Sequence, residues 1–135
     1  MCLRLILWLI LSCIICNTYA EITLGPWATL TSNTILARGQ AVQAGNTIYL
    51  VGGYSGLSTP HPVEKATILP SNDLTTWSIL SSSEFNIARD NGVAFSANGY
   101  IYYLGGANFY VVPSTGERAK INPDTSLGPW MNYGT

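Results

Sequence analysis

Few side chains in this sequence could carry out acid–base or nucleophilic chemistry. His61, held between two prolines, is the only histidine, and the three cysteines all fall within the first 16 residues. A serine triad would need His61 as its base, but the sequence has no strained nucleophile turn of the Gly-x-Ser-x-Gly type. Cysteine nucleophiles, zinc–thiolate sites and redox pairs need thiols that the rest of the chain lacks. The sequence therefore predicts no catalytic residue, no metal and no cofactor.

Recurring glutamates and glycine pairs are the next candidates for chemistry. Glu64 and Glu117 could supply carboxylates for sugar chemistry, but both fall in the middle of predicted strands, which favours a structural role. Two Gly-Gly pairs resemble a phosphate-binding loop only in part, because neither is followed by Lys-Ser/Thr or by a helix. Close backbone packing at the end of a strand explains them better. The pairs are Gly52-Gly53 and Gly105-Gly106.

The composition and the N-terminus indicate an exported globular chain. Charged residues make up 10% of the sequence and hydrophobic residues 47%, which argues against a disordered polar chain. No basic run is present, so nucleic acid is not an expected partner. Arg4, the apolar residues 5–16 and the small residues at 18 and 20 predict a secretory signal over 1–20, with the mature chain over 21–135. A lipoprotein signal and an uncleaved anchor stay open as alternatives, and a membrane is an expected partner only through this segment. We expect a secreted protein, or a periplasmic one if the source is bacterial.

A repeat with a period of about fifty residues organises the remaining sequence. The run IYLVGG at 48–53 returns as IYYLGG at 101–106, and Ala-Arg at 37–38 returns at 88–89. Ala-Arg returns after 51 residues and the other matches after 53, and so many matches at nearly one spacing identify two equivalent structural units. The other matched pairs are Glu64 and Glu117, Lys65 and Arg118, Ala66 and Ala119, Ile68 and Ile121, Pro70 and Pro123, Leu74 and Leu127, and Trp77 and Trp130.

Each repeat predicts four short antiparallel strands. Gly45-Asn46 and Asn98-Gly99 are hairpin dipeptides that connect a first strand to an apolar second strand. No stretch beyond the signal shows sustained helical periodicity, so we expect an all-β fold. The first strand is predicted over 40–44 and 91–96, the third over 63–69 and 116–121, and the fourth around Trp77 and Trp130.

Four-stranded units of this length, with paired glycines after the second strand and a tryptophan in the fourth, resemble kelch repeats. The resemblance implies a partial β-propeller with a closing strand over 21–34 that contains Trp27, a first blade over 35–83 and a second blade over 84–135. Such a ring needs at least four blades. We therefore expect the chain to be a truncated piece of a longer propeller, or else to assemble with other copies. Open blade faces would favour self-association.

The resemblance also implies where a partner would bind. The first strand of a propeller blade is innermost, so its start and the neighbouring loops would surround the mouth of the central channel. Arg38 and Arg89 either donate to a ligand there or order the blades through loop carbonyls and glutamates. Trp77 and Trp130 recur in register, which favours packing between blades over sugar stacking. The candidate contact residues are Arg38, Gln40, Tyr54, Arg89, Asp90, Asn91, Phe109 and Tyr110, and the repeated structural residues are Gly52, Gly53, Trp77, Gly105, Gly106 and Trp130.

The function that the resemblance implies is that of a secreted kelch-repeat module that binds a protein or a carbohydrate at the channel mouth. One alternative is a fragment of a kelch-type sugar mutarotase or epimerase. That enzyme would require a cluster of arginines and glutamates contributed by all of its blades. A fragment without function is a third interpretation.

Overall fold

The computed structural model describes residues 38–54, 62–84, 89–107 and 114–134, which form two four-stranded antiparallel sheets. Within these residues there is no helix, and hence none long and apolar enough to cross a membrane. The prediction of an all-β chain is confirmed at this level, and the two sheets are not closed into a ring. The first sheet contains β1 (Gln40–Ala44), β2 (Thr47–Val51), β3 (Pro62–Thr67) and β4 (Ser78–Glu84), and the second contains β5 (Val93–Ala97), β6 (Tyr100–Leu104), β7 (Gly116–Lys120) and β8 (Met131–Tyr133), each in chain order.

Several predicted features lie outside the described residues. They are the secretory signal over 1–20, the closing strand over 21–34 with Trp27, His61, Phe109 and Tyr110.

Two-residue hairpins connect the first and second strands of each sheet, as the turn dipeptides predict. In the second sheet, Asn98 and Gly99 have φ of 51° and 77°, the two positive values that a type I′ turn requires. In the hairpin of the first sheet, Gly45 has a positive φ of 59° and Asn46 does not, which is the pattern of a type II′ turn with glycine first. Both turn types match the right-handed twist of the strands, so they set the register of each hairpin.

The fourth strands begin later than predicted. Trp77 and Trp130 precede β4 and β8 instead of lying within them, because pairing with the third strand starts at Ser78 and Met131. The preceding segment is tied to the third strand by a separate bond, from the Thr75 amide to the Thr67 carbonyl at 2.9 Å. The same bond recurs in the second sheet at 2.8 Å, from Gly128 to Lys120.

Other strand ends also differ from the prediction. β5 covers 93–97 instead of 91–96, and the third strands end at Thr67 and Lys120. Ile68 and Ile121, expected in those strands, instead form single bridges to Leu74 and Leu127 as the chain turns back on itself.

The two sheets pack front to back around a shared core. Val42, Tyr49 and Val51 of the first sheet are buried against Ile101 and Tyr103 of the second. Tyr49 and Val51 lie on one face of β2, and Ile101 and Tyr103 lie on one face of β6. Because Tyr49 is equivalent to Tyr102, which alternates with Ile101 and Tyr103, the two equivalent strands bury opposite faces in this contact. Ser96 adds a 2.7 Å hydrogen bond from its hydroxyl to the Gln43 carbonyl across the gap. The second repeat is thus stacked on the first in the same orientation.

Candidate functional site

The segment 89–91 is held by both repeats at the end of the molecule where β1 and β5 begin. The Arg89 carbonyl accepts a 3.1 Å hydrogen bond from the amide of Gly53, which follows β2 of the first sheet. Asp90 exchanges two backbone hydrogen bonds of 2.9 and 3.0 Å with Ala107, which follows β6 of the second sheet. Residues predicted at a common rim therefore do meet at a junction between the two repeats.

The glycines after β2 and β6 make this junction close-packed. Gly52 has a φ of 64°, and a Cβ at this position would lie 2.6 Å from the Tyr103 ring. Gly106 has a φ of 80°, and a Cβ there would collide with the Asp90 carbonyl oxygen. Positive φ and close approach both require glycine. The geometry at these two glycines is that of close backbone packing.

Arg89 is directed into the interior of the protein. Its Nη2 donates to Glu117 Oε1 at 2.7 Å, and its Nη1 donates to the Thr115 carbonyl at 2.7 Å. Both charged side chains are fully buried. This arrangement favours a role for Arg89 in ordering the second repeat, because its two terminal nitrogens both bond to groups of that repeat.

Arg38, the equivalent arginine of the first repeat, has a different environment. It pairs with Asp90 Oδ2 at 3.3 Å, and half of its side-chain surface is exposed. Its guanidinium carbon lies 5.4 Å from the centroid of the Tyr54 ring, within cation–π range. The other carboxylate oxygen of Asp90 accepts a 3.1 Å hydrogen bond from the side-chain amide Nδ2 of Asn91, an exposed residue. We call Arg38, Tyr54, Asp90 and Asn91 the corner cluster.

The corner cluster presents an exposed cation, a carboxylate, an amide and an aromatic ring at one place. Arg38 and Tyr54 come from the first repeat, and Asp90 and Asn91 from the second, so the cluster exists only because the repeats are stacked. Donors and acceptors beside an aromatic ring are the groups that bind hydroxyl-rich or acidic ligands. No group of three or more potential metal ligands occurs within the described segments.

The structure brings together four of the eight predicted contact residues. Gln40 is half-buried and donates to the carbonyl of its neighbour Gly39 at 3.3 Å. Arg89 is buried in its ion pair. Of the structural residues, Trp130 lies in the core between the sheets, whereas Trp77 of the first repeat is only half-buried.

Sequence reasoning missed a group of aromatic residues on the second sheet. Phe95 stacks on Tyr102 with ring centroids 5.1 Å apart, and Tyr133 meets Tyr102 edge-on at 5.4 Å. Arg118 lies over two rings, 4.9 Å from the centroid of Tyr100 and 5.1 Å from that of Tyr133. The alternation of Tyr100 and Tyr102 within an antiparallel strand could have located this face. We call Phe95, Tyr100, Tyr102, Arg118 and Tyr133 the outer aromatic face.

Three ionisable groups lie in environments that shift their pKa. Burial raises the pKa of Tyr49 and of Tyr103, because an ionised phenolate loses hydration in the core. A hydrogen bond from the Ser126 hydroxyl lowers the pKa of the exposed Asp124 carboxyl. None of the three belongs to the corner cluster.

The sequence matches no protein-family model and no curated protein.

Proposed function

We propose that the protein is a secreted binding module of kelch-type repeats, and that the corner cluster contacts its ligand. The observation that carries the proposal is the half-exposed Arg38 guanidinium, held beside Asp90, Asn91 and Tyr54 at the junction of two repeats. In a propeller this junction would face the channel mouth. A sugar carrying an acidic group fits these side chains, because Arg38 would pair with the acid while Asp90 and Asn91 bind hydroxyls.

The recurring arginines and glutamates give no comparable support to a sugar-converting enzyme. Glu64 and Glu117 are both fully buried, and Arg89 is enclosed with Glu117. General acid–base chemistry requires a titratable group within hydrogen-bond reach of the substrate. Within the described residues, Glu64, Arg89 and Glu117 are therefore too deeply buried to reach a substrate, which leaves Arg38 as the exposed member of the recurring set.

Binding to a panel of neutral and acidic sugars, measured by isothermal titration calorimetry, tests the proposal. We expect Arg38→Ala to weaken binding about tenfold to a hundredfold, the range for loss of a hydrogen bond to a charged group. The Arg38 side chain is half-exposed and that of Asp90 is 14% exposed, so the same substitution should cost about 1 kcal/mol of folding stability, the upper end of the range for surface pairs. Lys120→Ala is the matched control, because it removes an exposed cation away from the corner cluster.

The outcomes separate the corner cluster from other surfaces. Loss of binding in Arg38→Ala with normal binding in Lys120→Ala supports the proposal. Equal binding in both variants, or no binding of any sugar by the unmodified protein, contradicts the assignment of an acidic sugar to this cluster.

A further inference from the structure

The contact between the two sheets includes hydrogen bonds from a donor face, Tyr49 and Lys65 of the first sheet, to an acceptor turn, residues 124–125 of the second repeat. Tyr49 donates its hydroxyl to the Thr125 carbonyl at 2.9 Å. Lys65 donates to the Thr125 hydroxyl at 2.8 Å and to the Asp124 carbonyl at 3.3 Å. A strand face of one repeat thus docks on the turn that follows the third strand of the next repeat.

The second sheet carries the same donor face, and among the described residues no further sheet packs on it. Tyr102 and Arg118 are paired across β6 and β7 as Tyr49 and Lys65 are paired across β2 and β3. The residues beside these pairs are buried in the first sheet and exposed in the second. Val42 and Val51 are 4% and 0% exposed, whereas the equivalent Phe95 and Leu104 are 41% and 38% exposed. The Nε of Arg118 is buried beneath the rings with no hydrogen-bond partner among the described residues.

The first sheet carries the same acceptor turn on its exposed surface. Asn72 has a φ of 67° and Thr125 one of 63°, and each amide donates at 2.9 Å to a carbonyl three residues earlier. Ser71 donates to the Asp73 carboxylate at 2.9 Å, as Ser126 donates to Asp124 at 2.7 Å. All three residues from Ser71 to Asp73 are exposed. This turn offers carbonyls and one carboxylate to a neighbouring cation.

We propose that the chain binds a second copy of itself head to tail, the outer aromatic face of one copy docking on the turn 71–73 of the next. Each chain carries both surfaces of this interface, because its first sheet already docks on the turn of its own second repeat. That internal contact supplies the geometry expected between two copies. The charges are complementary, since Arg118 would face the turn that contains Asp73. Because the two surfaces differ, the contact is heterologous, and repeated stacking gives a ring or an open chain of copies.

Two charge substitutions on opposite sides of the interface test the proposal without reference to sugar binding. Arg118→Glu places a carboxylate against the carbonyls and carboxylate of the turn. Ser71→Lys places a cation against Arg118 and leaves the outer aromatic face unchanged. Ser114→Lys is the matched control, because it adds the same charge to an exposed serine in the loop before β7 that belongs to neither surface. Circular dichroism verifies that each variant keeps its sheet structure.

Sedimentation velocity over a concentration series up to about 100 µM then measures association. We expect the unmodified chain and Ser114→Lys to associate with rising concentration. Arg118→Glu and Ser71→Lys should each associate at least about tenfold more weakly. An equimolar mixture of the two variants should recover association, because each supplies the surface that the other has lost.

Three results would overturn the proposal. The first is an unmodified chain that stays monomeric throughout the series. The second is normal association of Ser71→Lys alone, which would mean that two outer aromatic faces stack on each other. The third is failure of the mixture to associate although both variants are folded.

Discussion

Removing the buried guanidinium of Arg89 should destabilise the protein far more than removing the equivalent guanidinium of Arg38. Arg89 and Glu117 have no exposed side-chain surface, and their 2.7 Å ion pair offsets part of the free-energy cost of removing both charges from water. In Arg89→Met the carboxylate of Glu117 stays buried without its cation, and the Thr115 carbonyl loses a donor. Breaking a buried pair from one side costs about 3–5 kcal/mol.

The matched variant Arg38→Met sets the scale for a partly exposed pair, in which the Asp90 side chain is 14% exposed. The Arg38–Asp90 contact is longer, 3.3 Å, and half of the arginine side chain is in solvent. Exposed pairs contribute about 0–1 kcal/mol. The two repeats thus provide the same substitution at equivalent positions, and the expected difference between the variants is about 2–5 kcal/mol.

Urea unfolding followed by tryptophan fluorescence measures both variants, with Trp130 reporting on the core between the sheets. The double variant Arg89→Met with Glu117→Leu removes both charges and should recover most of the lost stability, because apolar replacements of a buried pair are often neutral. A loss in Arg89→Met no larger than that in Arg38→Met would refute the reasoning, as would a double variant no more stable than the single one.

Three further predictions concern backbone conformation and pH. Thr125→Asn should raise the free energy of unfolding by about 1 kcal/mol in urea, because asparagine tolerates the φ of 63° better than a β-branched residue and keeps an acceptor for Lys65; no gain would contradict it. Gly52→Ala should cost about 2 kcal/mol or more in the same assay, since it adds a strained φ and a clash with the Tyr103 ring; a thermal melt equal to that of the unmodified protein would count against it. Because burial raises the pKa of Tyr49 and Tyr103, the unfolded chain loses these protons first, and stability should fall as the pH rises through their ordinary value of 10. Absorbance at alkaline pH should show two tyrosines that ionise only with unfolding, and normal titration of all tyrosines in the folded protein would exclude this.

The repeat allowed much of the fold to be predicted from sequence. Equal residue types at equal spacing form equal strands, and the dipeptides Gly45-Asn46 and Asn98-Gly99 fix the hairpins by their φ preferences. The ends of the fourth strands were not predictable from the tryptophans, because the ladder starts where Ser78 and Met131 reach the third strand. Residue type indicated each fourth strand but did not determine its first paired residue.

The candidate site was predictable only in part. Spacing placed Arg38 and Arg89 in equivalent positions, but the two find different partners, Asp90 at the surface and Glu117 in the interior. Which partner an arginine reaches depends on the neighbouring repeat and on a backbone φ of 61° at Arg38, and neither follows from spacing. The outer aromatic face, by contrast, follows from strand alternation once β6 is paired in register with β5 and β7.

Mapping a bound acidic sugar onto the protein by amide chemical-shift perturbation tests the proposed function most directly. Two exposed surfaces carry a cation beside aromatic rings, the corner cluster and the outer aromatic face, and they belong to different parts of the molecule. We predict that saturable shifts are concentrated at Arg38, Tyr54, Asp90 and Asn91, with the amides of Tyr102 and Arg118 unchanged. Shifts confined to Tyr102, Arg118 and their neighbours would contradict the assignment of the ligand site to the corner cluster.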